Sequence, residues 1–327
     1  MTSPGRIESA RLHLISCVGV DHDLALLERF IAHYLELGVP ACNCHLILNA
    51  SRLDDPKLVE AKRQLAAWDI TPTEQWIAPY TSADMWQRRR DVQRRCVPAD
   101  DWLISADVDE FHEYPTDLGR FLAFCEANRI NCVDGVFVDR LAADGTMAEV
   151  DATTPLAGLF PEQRILQGSV FGFGPSHDVY GSIKMMAVRG RWLLGRGGHA
   201  PIAGETGHKF LYGRHIGAFD NSADPAFRAR FPTRVHHFKW TSTLADGLSR
   251  RVSTAGASLA GQEYGRQILS HLERGSGRIA LSRAPRVRDV PKRGGIGMLV
   301  TRWIRRREKL RRKMRKRIAG LTGGQAS

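Results

Sequence analysis

The spacing of apolar and polar residues over the first hundred positions predicts strands and helices that follow one another in turn. Apolar or alternating runs predict four strands, at 12–18, 45–48, 73–78 and 102–107. Helical spacing or helix-start signals between them predict three helices, at 24–37, 56–68 and 82–96. Elements that alternate in this way build a mostly parallel sheet with helices on both faces. The predicted fold class is therefore α/β.

The pattern is less regular after residue 111. A helix is predicted at 118–127, a strand at 135–141 and a helical stretch from about 243 to 272. Between them, residues 142–235 are rich in Gly, Pro and aromatic residues, which predicts a second layer of short strands and long loops. Residues 283–298 have the composition of a Pro/Gly/basic linker. We therefore divide the chain into 1–112, 113–282 and 283–327.

The fourth predicted strand runs directly into a cluster of acids. Trp102 begins an apolar run that leads to Asp107, Asp109 and Glu110. Ligands of α/β proteins bind at the carboxyl ends of strands, and Asp-x-Asp supplies two hard oxygen ligands for a Mg²⁺ or Mn²⁺ that also holds a phosphate. The segment predicts a metal-dependent enzyme for a phosphorylated or nucleotide-linked substrate. An acidic turn without a ligand is the alternative.

Composition excludes several other classes of protein. The chain has 327 residues, of which 43% are hydrophobic and 25% charged, as in ordinary globular proteins. It has no apolar run of the length that crosses a bilayer and no secretory signal, so we expect a cytoplasmic protein. Neither a G-x-G-x-x-G nor a P-loop motif follows the first strand, which argues against a dinucleotide or P-loop fold.

The positive charge is concentrated at one end of the chain. From Arg283 onward 16 basic residues accompany two acids, a net of +14, whereas the preceding residues carry a net of −2. Because the body has no basic surface of its own, nucleic acid is not the favoured partner.

The basic tail also has apolar residues at heptad-like spacing. They are Val300, Trp303, Ile304, Leu310, Met314, Ile318 and Leu321. A helix here would have a narrow apolar stripe and a broad cationic face, which is typical of helices that lie on anionic membrane surfaces. Residues 299–321 thus predict a peripheral location on the inner face of the membrane. A solvated tail and a nucleic-acid-binding tail are the alternatives.

Three segments together resemble a known enzyme group. They are Phe30-Ile-Ala-His-Tyr-Leu-Glu-Leu-Gly38, Asp101-Trp-Leu-Ile-Ser-Ala-Asp-Val-Asp-Glu-Phe111 and His236-His-Phe-Lys-Trp240. With them the chain resembles, over about residues 11–275, the glycosyltransferase family 2-like group of GT-A enzymes that carry a D-x-D-E-F signature. The segment from Asn49 to Asp55 departs from the acidic Gly-Thr turn that is usual there.

The resemblance implies a fold and an activity. The fold would be a GT-A-type sheet with a nucleotide-sugar-binding half at 1–112, an acceptor-side half at 113–282 and a C-terminal basic helix. The activity would move a sugar from a nucleotide-sugar donor to a hydroxyl of a saccharide or glycolipid acceptor, and the resemblance favours inversion. A nucleotidyltransferase or metal-dependent phosphohydrolase is the alternative enzyme. A nucleic-acid-binding protein driven by the tail is the alternative of another class.

The resemblance also implies the ligands of a metal. Asp107, Asp109, His236 and His237 would hold Mn²⁺ or Mg²⁺, with Asp107 also near the ribose or sugar of the donor. Mn²⁺ suits this mixture of oxygen and imidazole ligands. A pair of histidines that alternate across a strand, one buried and one solvated, is the alternative.

Further residues are expected to contact the substrates. Asn49, Lys239 and Trp240 would contact the sugar donor, with Lys239 on the diphosphate; a solvated surface lysine is the alternative for Lys239. Arg88 or Arg89 is a further candidate for the phosphate, although a solvated helix face is the favoured interpretation of these two. Asp178 and His199 are the candidates for the base that deprotonates the acceptor, with Glu205 as a third.

Overall fold

The computed structural model describes residues 6–173, 179–204, 206–253, 259–288 and 296–322. In these residues the strands are β1 (Leu12–Gly19), β2 (Cys44–Ala50), β3 (Glu74–Ile77), β4 (Trp102–Ser105), β5 (Glu110–Glu113), β6 (Cys132–Leu141), β7 (Glu162–Arg164), β8 (Ile183–Arg189) and β9 (Arg234–His237). The helices are α1 (Leu24–Glu36), α2 (Pro56–Ala66), α3 (Ser82–Cys96), α4 (Leu118–Ala127), α5 (Leu156–Leu159), α6 (Pro225–Arg228), α7 (Leu244–Ser253), α8 (Leu259–Arg274) and α9 (Ile296–Thr322).

The strands form one sheet in the order β3-β2-β1-β4-β8-β6-β9-β5, and β7 pairs with β6. The four strands predicted from the first hundred residues are parallel, which confirms the α/β class. The direction reverses where β8 pairs antiparallel with β4, at Leu103↔Val188. The strands expected as a second layer therefore continue the first sheet, because β8 adds directly to the free edge of β4.

The parallel half follows the expected packing logic. β1 and β2 are buried along nearly their whole length, as strands covered on both faces must be. α1 buries one face, whose residues at helical spacing include Leu27, Phe30, Ile31 and Tyr34. α2 begins at Pro56 and is capped by Asp55, which accepts the Lys57 N–H at 2.8 Å. The local signals and the tertiary packing agree here.

The last helix packs on the body of the protein and begins inside the predicted linker. Thr301 and Glu308 are buried on its inner face. The predicted apolar positions are divided between two faces: Ile304 packs against the core, whereas Trp303, Leu310 and Met314 are exposed. Successive residues on a helix project about 100° apart, so Trp303 and Ile304 serve different faces. The Ile318 and Leu321 side chains lie outside the described residues.

Among the helices in the described ranges, none is long and apolar enough to span a bilayer.

Candidate functional site

The acidic motif folds into a turn between β4 and β5. The Glu110 N–H donates to the Asp107 carbonyl at 2.9 Å, and the Glu110 carboxylate accepts the Asp107 N–H at 2.9 Å. The Tyr34 hydroxyl of α1 donates to the Glu110 carbonyl at 2.9 Å. The buried Glu110 therefore closes the turn, and α1 holds the first residue of β5. The side chains of Asp107 and Asp109 remain partly accessible at the edge of the turn, which we call the rim.

Two buried cations hold Asp107. The Arg89 guanidinium lies 2.6 Å from Oδ1 of Asp107, and the Lys184 ammonium lies 3.3 Å from Oδ2. Lys184 also lies 2.9 Å from the Glu110 carboxylate. Burial would raise the pKa of Asp107, but the Lys184 and Arg89 charges outweigh it and hold that pKa well below its usual range. Asp107 is thus a charged side chain that the protein itself neutralises.

The contacts of α3 differ from the expectation for Arg88 and Arg89. Arg89 forms an ion pair with Asp107. Arg88 forms an ion pair with Glu74, and the Arg88 guanidinium lies 5.0 Å from the Trp76 ring centroid. Lys184 is a functional residue that the sequence analysis did not single out. Its sequence signal is a single cation inside the apolar run of β8, which marks a charge that needs a buried partner.

The two cations lie against Trp86. The Trp86 ring centroid is 5.0 Å from the Arg89 guanidinium carbon and 5.7 Å from Nζ of Lys184. Gly198 adopts φ +67°, and a Cβ there would come within 2.7 Å of Trp86. A glycine is required at this position because the loop after β8 passes directly over the ring.

Asp109 and His237 face each other at the rim. Nε2 of His237 lies 3.3 Å from Oδ2 of Asp109, and the Phe238 N–H donates to the Asp109 carbonyl at 2.8 Å. On its other side, Nδ1 of His237 is 3.8 Å from Oδ1 of Asp139. Burial would raise the pKa of Asp109, but the His237 charge and hydrogen bond lower it. Both side chains remain partly accessible, at 28% for Asp109 and 17% for His237.

His236 faces away from this pair. Successive residues of a strand point to opposite faces of a sheet, and Nε2 of His236 lies 3.0 Å from Oε2 of Glu113. Burial lowers the pKa of His236. The structure therefore brings His237, but not His236, to Asp109.

Trp240 is fully buried and offers no surface to a substrate. Its ring stacks on Phe171 at 5.6 Å between centroids, and its indole N–H donates to Asp139 at 2.8 Å. Half-buried Lys239 lies over the rings of Trp240 and Tyr264, 4.5 Å from each centroid. The positive charge of Lys239 helps to lower the pKa of Asp109, so Lys239 acts electrostatically on the rim.

Asn49 holds the sheet together at the end of β2. Its side-chain N–H₂ donates to the carbonyls of Trp76 and Ala78, both at 3.0 Å, and the residue is buried. Both N–H groups of the Asn49 amide are therefore engaged by β3 and the residue after it.

Of the candidate bases, only His199 lies in the described part of the chain; Asp178 and Glu205 lie outside it. Nδ1 of His199 donates to the Ile183 carbonyl at 2.8 Å. Burial, with the Lys184 charge, lowers the pKa of His199 to about 4. Because Nδ1 is the donor of the ring, Nε2 is the nitrogen that could accept a proton.

Asp23, which the sequence did not single out, completes the acidic rim. It follows β1, and its carboxylate accepts the Gly19 N–H at 2.7 Å. Burial and the nearby charge of Asp109 raise the pKa of Asp23 to about 8. Its position one strand away from β4 explains this, since β1 and β4 are parallel neighbours whose carboxyl ends meet.

The rim fits a divalent cation that brings further ligands with it. The 3.3 Å between Oδ2 of Asp109 and Nε2 of His237 is the spacing of two adjacent ligands about 2.1–2.3 Å from one ion. A ligating histidine usually directs its second nitrogen toward a carboxylate, as His237 does toward Asp139. Asp107, the third predicted acidic or imidazole ligand near this pair, already has two cationic partners. Within the described residues, no three His, Cys, Asp or Glu side chains gather into a complete metal set.

The chain is similar to solved structures at low sequence identity. No profile of a known protein family matches the chain, and no curated protein matches it. The chain is similar to a crystal structure of S. aureus TarS 1–349, at 9% identity over 80% of this chain and 72% of that chain, with a TM-score of 0.32. A second TarS crystal structure matches at 9% identity over 83% and 44% of the two chains, with a TM-score of 0.29. These low values carry no argument about activity.

Proposed function

We propose that the protein is a GT-A-type glycosyltransferase that moves a sugar from a nucleotide-sugar donor to a hydroxyl of a saccharide or glycolipid acceptor. The observation that carries the proposal is the accessible Asp109–His237 pair, 3.3 Å apart, at the carboxyl ends of the parallel strands. An acid and an imidazole in this position suit a Mn²⁺ or Mg²⁺ that arrives with a diphosphate.

Asp109 and His237 would hold the cation, and Asp139 would keep the His237 ring oriented with Nε2 toward it. When bound, the cation stabilises the negative charge that develops on the diphosphate leaving group. Two protein ligands leave room for diphosphate oxygens and water, which is how Mg²⁺ sites at phosphates are usually built.

Asp107 would bind the ribose or sugar of the donor rather than the cation. Its charge is fixed by Arg89 and Lys184, yet 40% of its side chain remains accessible. A carboxylate has more acceptor sites than these two contacts use, so hydroxyl groups of the donor can still donate to it. Lys239, beside Asp109, would face the diphosphate.

Inversion at the anomeric carbon requires a base within hydrogen-bond reach of the acceptor hydroxyl. His199 and Asp178 stay the predictions made from the sequence.

A panel of nucleotide sugars, incubated with and without Mn²⁺, tests the proposal. A glycosyltransferase releases nucleoside diphosphate, whereas a phosphohydrolase releases nucleoside monophosphate and sugar phosphate, so analysis of the products separates the alternatives. We expect metal-dependent release of nucleoside diphosphate from one donor and its loss in Asp109→Asn. Asp91→Asn is the control, since that carboxylate contacts Gln87 and Arg94 on the exposed face of α3. If no donor is bound or cleaved, or if Asp109→Asn is as active as the parent, the proposal fails.

A further inference from the structure

The outward face of α9 carries a row of exposed apolar side chains. Leu299, Trp303, Leu310 and Met314 are each more than half exposed. At about 100° per residue they fall within one narrow sector of the helix. We call this set the outer stripe.

The orientation of the outer stripe is fixed by the opposite face of the helix. Glu308 is buried, with its carboxylate 2.9 Å from the Arg214 guanidinium, and Thr301 is fully buried. One turn later, the Arg312 guanidinium donates to the Gly213 carbonyl at 2.6 Å. Because these contacts are on the inner side, the stripe points away from the body of the protein.

Cations surround the outer stripe. The exposed ones are Arg302, Arg306, Arg307, Lys309, Arg311, Lys313, Lys316 and Arg317. The Arg307 guanidinium lies 5.2 Å from the Trp303 ring centroid. The one acid in the sequence of α9, Glu308, is turned inward. The outward surface therefore combines apolar side chains with positive charge and carries no acid of this helix.

We propose that this surface lies on an anionic lipid bilayer, with the outer stripe inserted at the boundary between headgroups and acyl chains. Long basic side chains can extend from such a depth to the lipid phosphates, and Trp favours the same boundary. A nucleic acid backbone would satisfy the cations but leave the apolar stripe in water. Because apolar side chains and cations share one face of α9, an anionic bilayer fits this surface better than a nucleic acid does. This inference does not depend on the proposed glycosyl transfer.

Binding of the full-length protein to vesicles tests the inference without any substrate. Vesicles of phosphatidylcholine mixed with phosphatidylglycerol are compared with vesicles of phosphatidylcholine alone. We expect binding to the anionic vesicles, and a loss of about tenfold or more in affinity when Trp303, Leu310 and Met314 are all changed to Gln. Leu53→Gln with Val59→Gln is the control, because these apolar side chains lie on the body and are at least as exposed as those of the outer stripe.

Substitution is preferable to deletion of the helix, because deletion would leave Arg214 without Glu308. An unchanged thermal midpoint shows that each variant is folded. If the triple variant binds anionic vesicles as tightly as the parent, the contact is electrostatic alone and the inference is overturned. Tighter binding to a DNA duplex than to vesicles, unaffected by the triple substitution, overturns it as well.

Discussion

Lys184 and Glu110 form a buried ion pair, with Nζ of Lys184 2.9 Å from the Glu110 carboxylate. Burial raises the pKa of Glu110, and the negative charges of Asp107 and Asp109 act in the same direction, whereas Lys184 opposes them. Lys184 thus allows three acids to lie within one four-residue turn.

Removal of Lys184 is expected to destabilise the protein. Lys184→Met leaves the charges of Glu110 and Asp107 without their common partner, and a broken buried pair typically costs about 3–5 kcal/mol. Urea unfolding measures the change in the free energy of unfolding. Adding Glu110→Gln to Lys184→Met should recover part of the loss, since one unpaired charge is then gone.

Lys57→Met is the control for this experiment. Lys57 also contacts a carboxylate, that of Asp21 at 3.0 Å, but both side chains are exposed, and pairs of this kind contribute at most about 1 kcal/mol. If Lys184→Met and Lys57→Met lower the free energy of unfolding equally, the buried ion pair contributes no more stability than an exposed one.

The two neighbouring histidines are expected to differ in metal binding. His237→Gln removes the imidazole beside Asp109 and should weaken Mn²⁺ binding, measured by calorimetry in the presence of a nucleoside diphosphate, by about tenfold or more. His236→Gln should leave it unchanged, since His236 contacts Glu113 on the other face. Equal affinities for the two variants would exclude His237 as a ligand.

The contact between Trp240 and Asp139 is expected to stabilise the fold. Trp240→Phe keeps the stacking on Phe171 but removes the N–H donor to a buried carboxylate, which typically costs about 1–3 kcal/mol. Thermal or urea unfolding measures the loss. Trp68→Phe, at a partly exposed position on the surface, is the control and should change the stability little. If Trp240→Phe leaves the free energy of unfolding unchanged, the hydrogen bond from Trp240 to Asp139 does not stabilise the fold.

Asp23 is expected to make stability fall as the pH rises. Its pKa is about 8 in the folded protein against an ordinary value of 3.8, so the folded state holds the proton more tightly. The resulting stability is present below about pH 4 and is lost as the pH rises through about 8. Urea midpoints in metal-free buffer should therefore decline less between these values in Asp23→Asn than in the parent. Parallel profiles for the two proteins would contradict this assignment.

The local pattern of apolar and polar residues was sufficient to predict the strands and helices of the parallel half of the fold. The helices at 82–96 and 118–127 have the predicted bounds, and the four strands lie within about two residues of their predicted positions. Their apolar spacing and end signals act over a few residues, so a single sequence contains them. The continuation of the sheet through β8 was missed because strand pairing joins residues far apart in the chain.

The site was less predictable for the same reason. Alternation along a strand shows that His236 and His237 face opposite sides, but only the register of β9 against β5 decides which one meets Asp109. The partners of Asp107 likewise come from α3 and β8, 18 and 77 residues away along the chain. An aromatic residue beside a histidine motif suggested a stacking surface, whereas Trp240 is part of the core.

The pairing of β5 with β9 sets the order in which the site can be completed during synthesis. β5 has β9 as its neighbour in the sheet, and their register joins Glu113 to Arg234. A nascent chain that has emerged only as far as β5 contains its four parallel strands and the acidic turn, yet it lacks β8, which carries Lys184, and β9, which carries His237. Such long-range contacts form late. Until then the acids have neither the ammonium nor the imidazole beside them, so a ribosome-bound N-terminal half should lack the metal binding that we propose for the full chain.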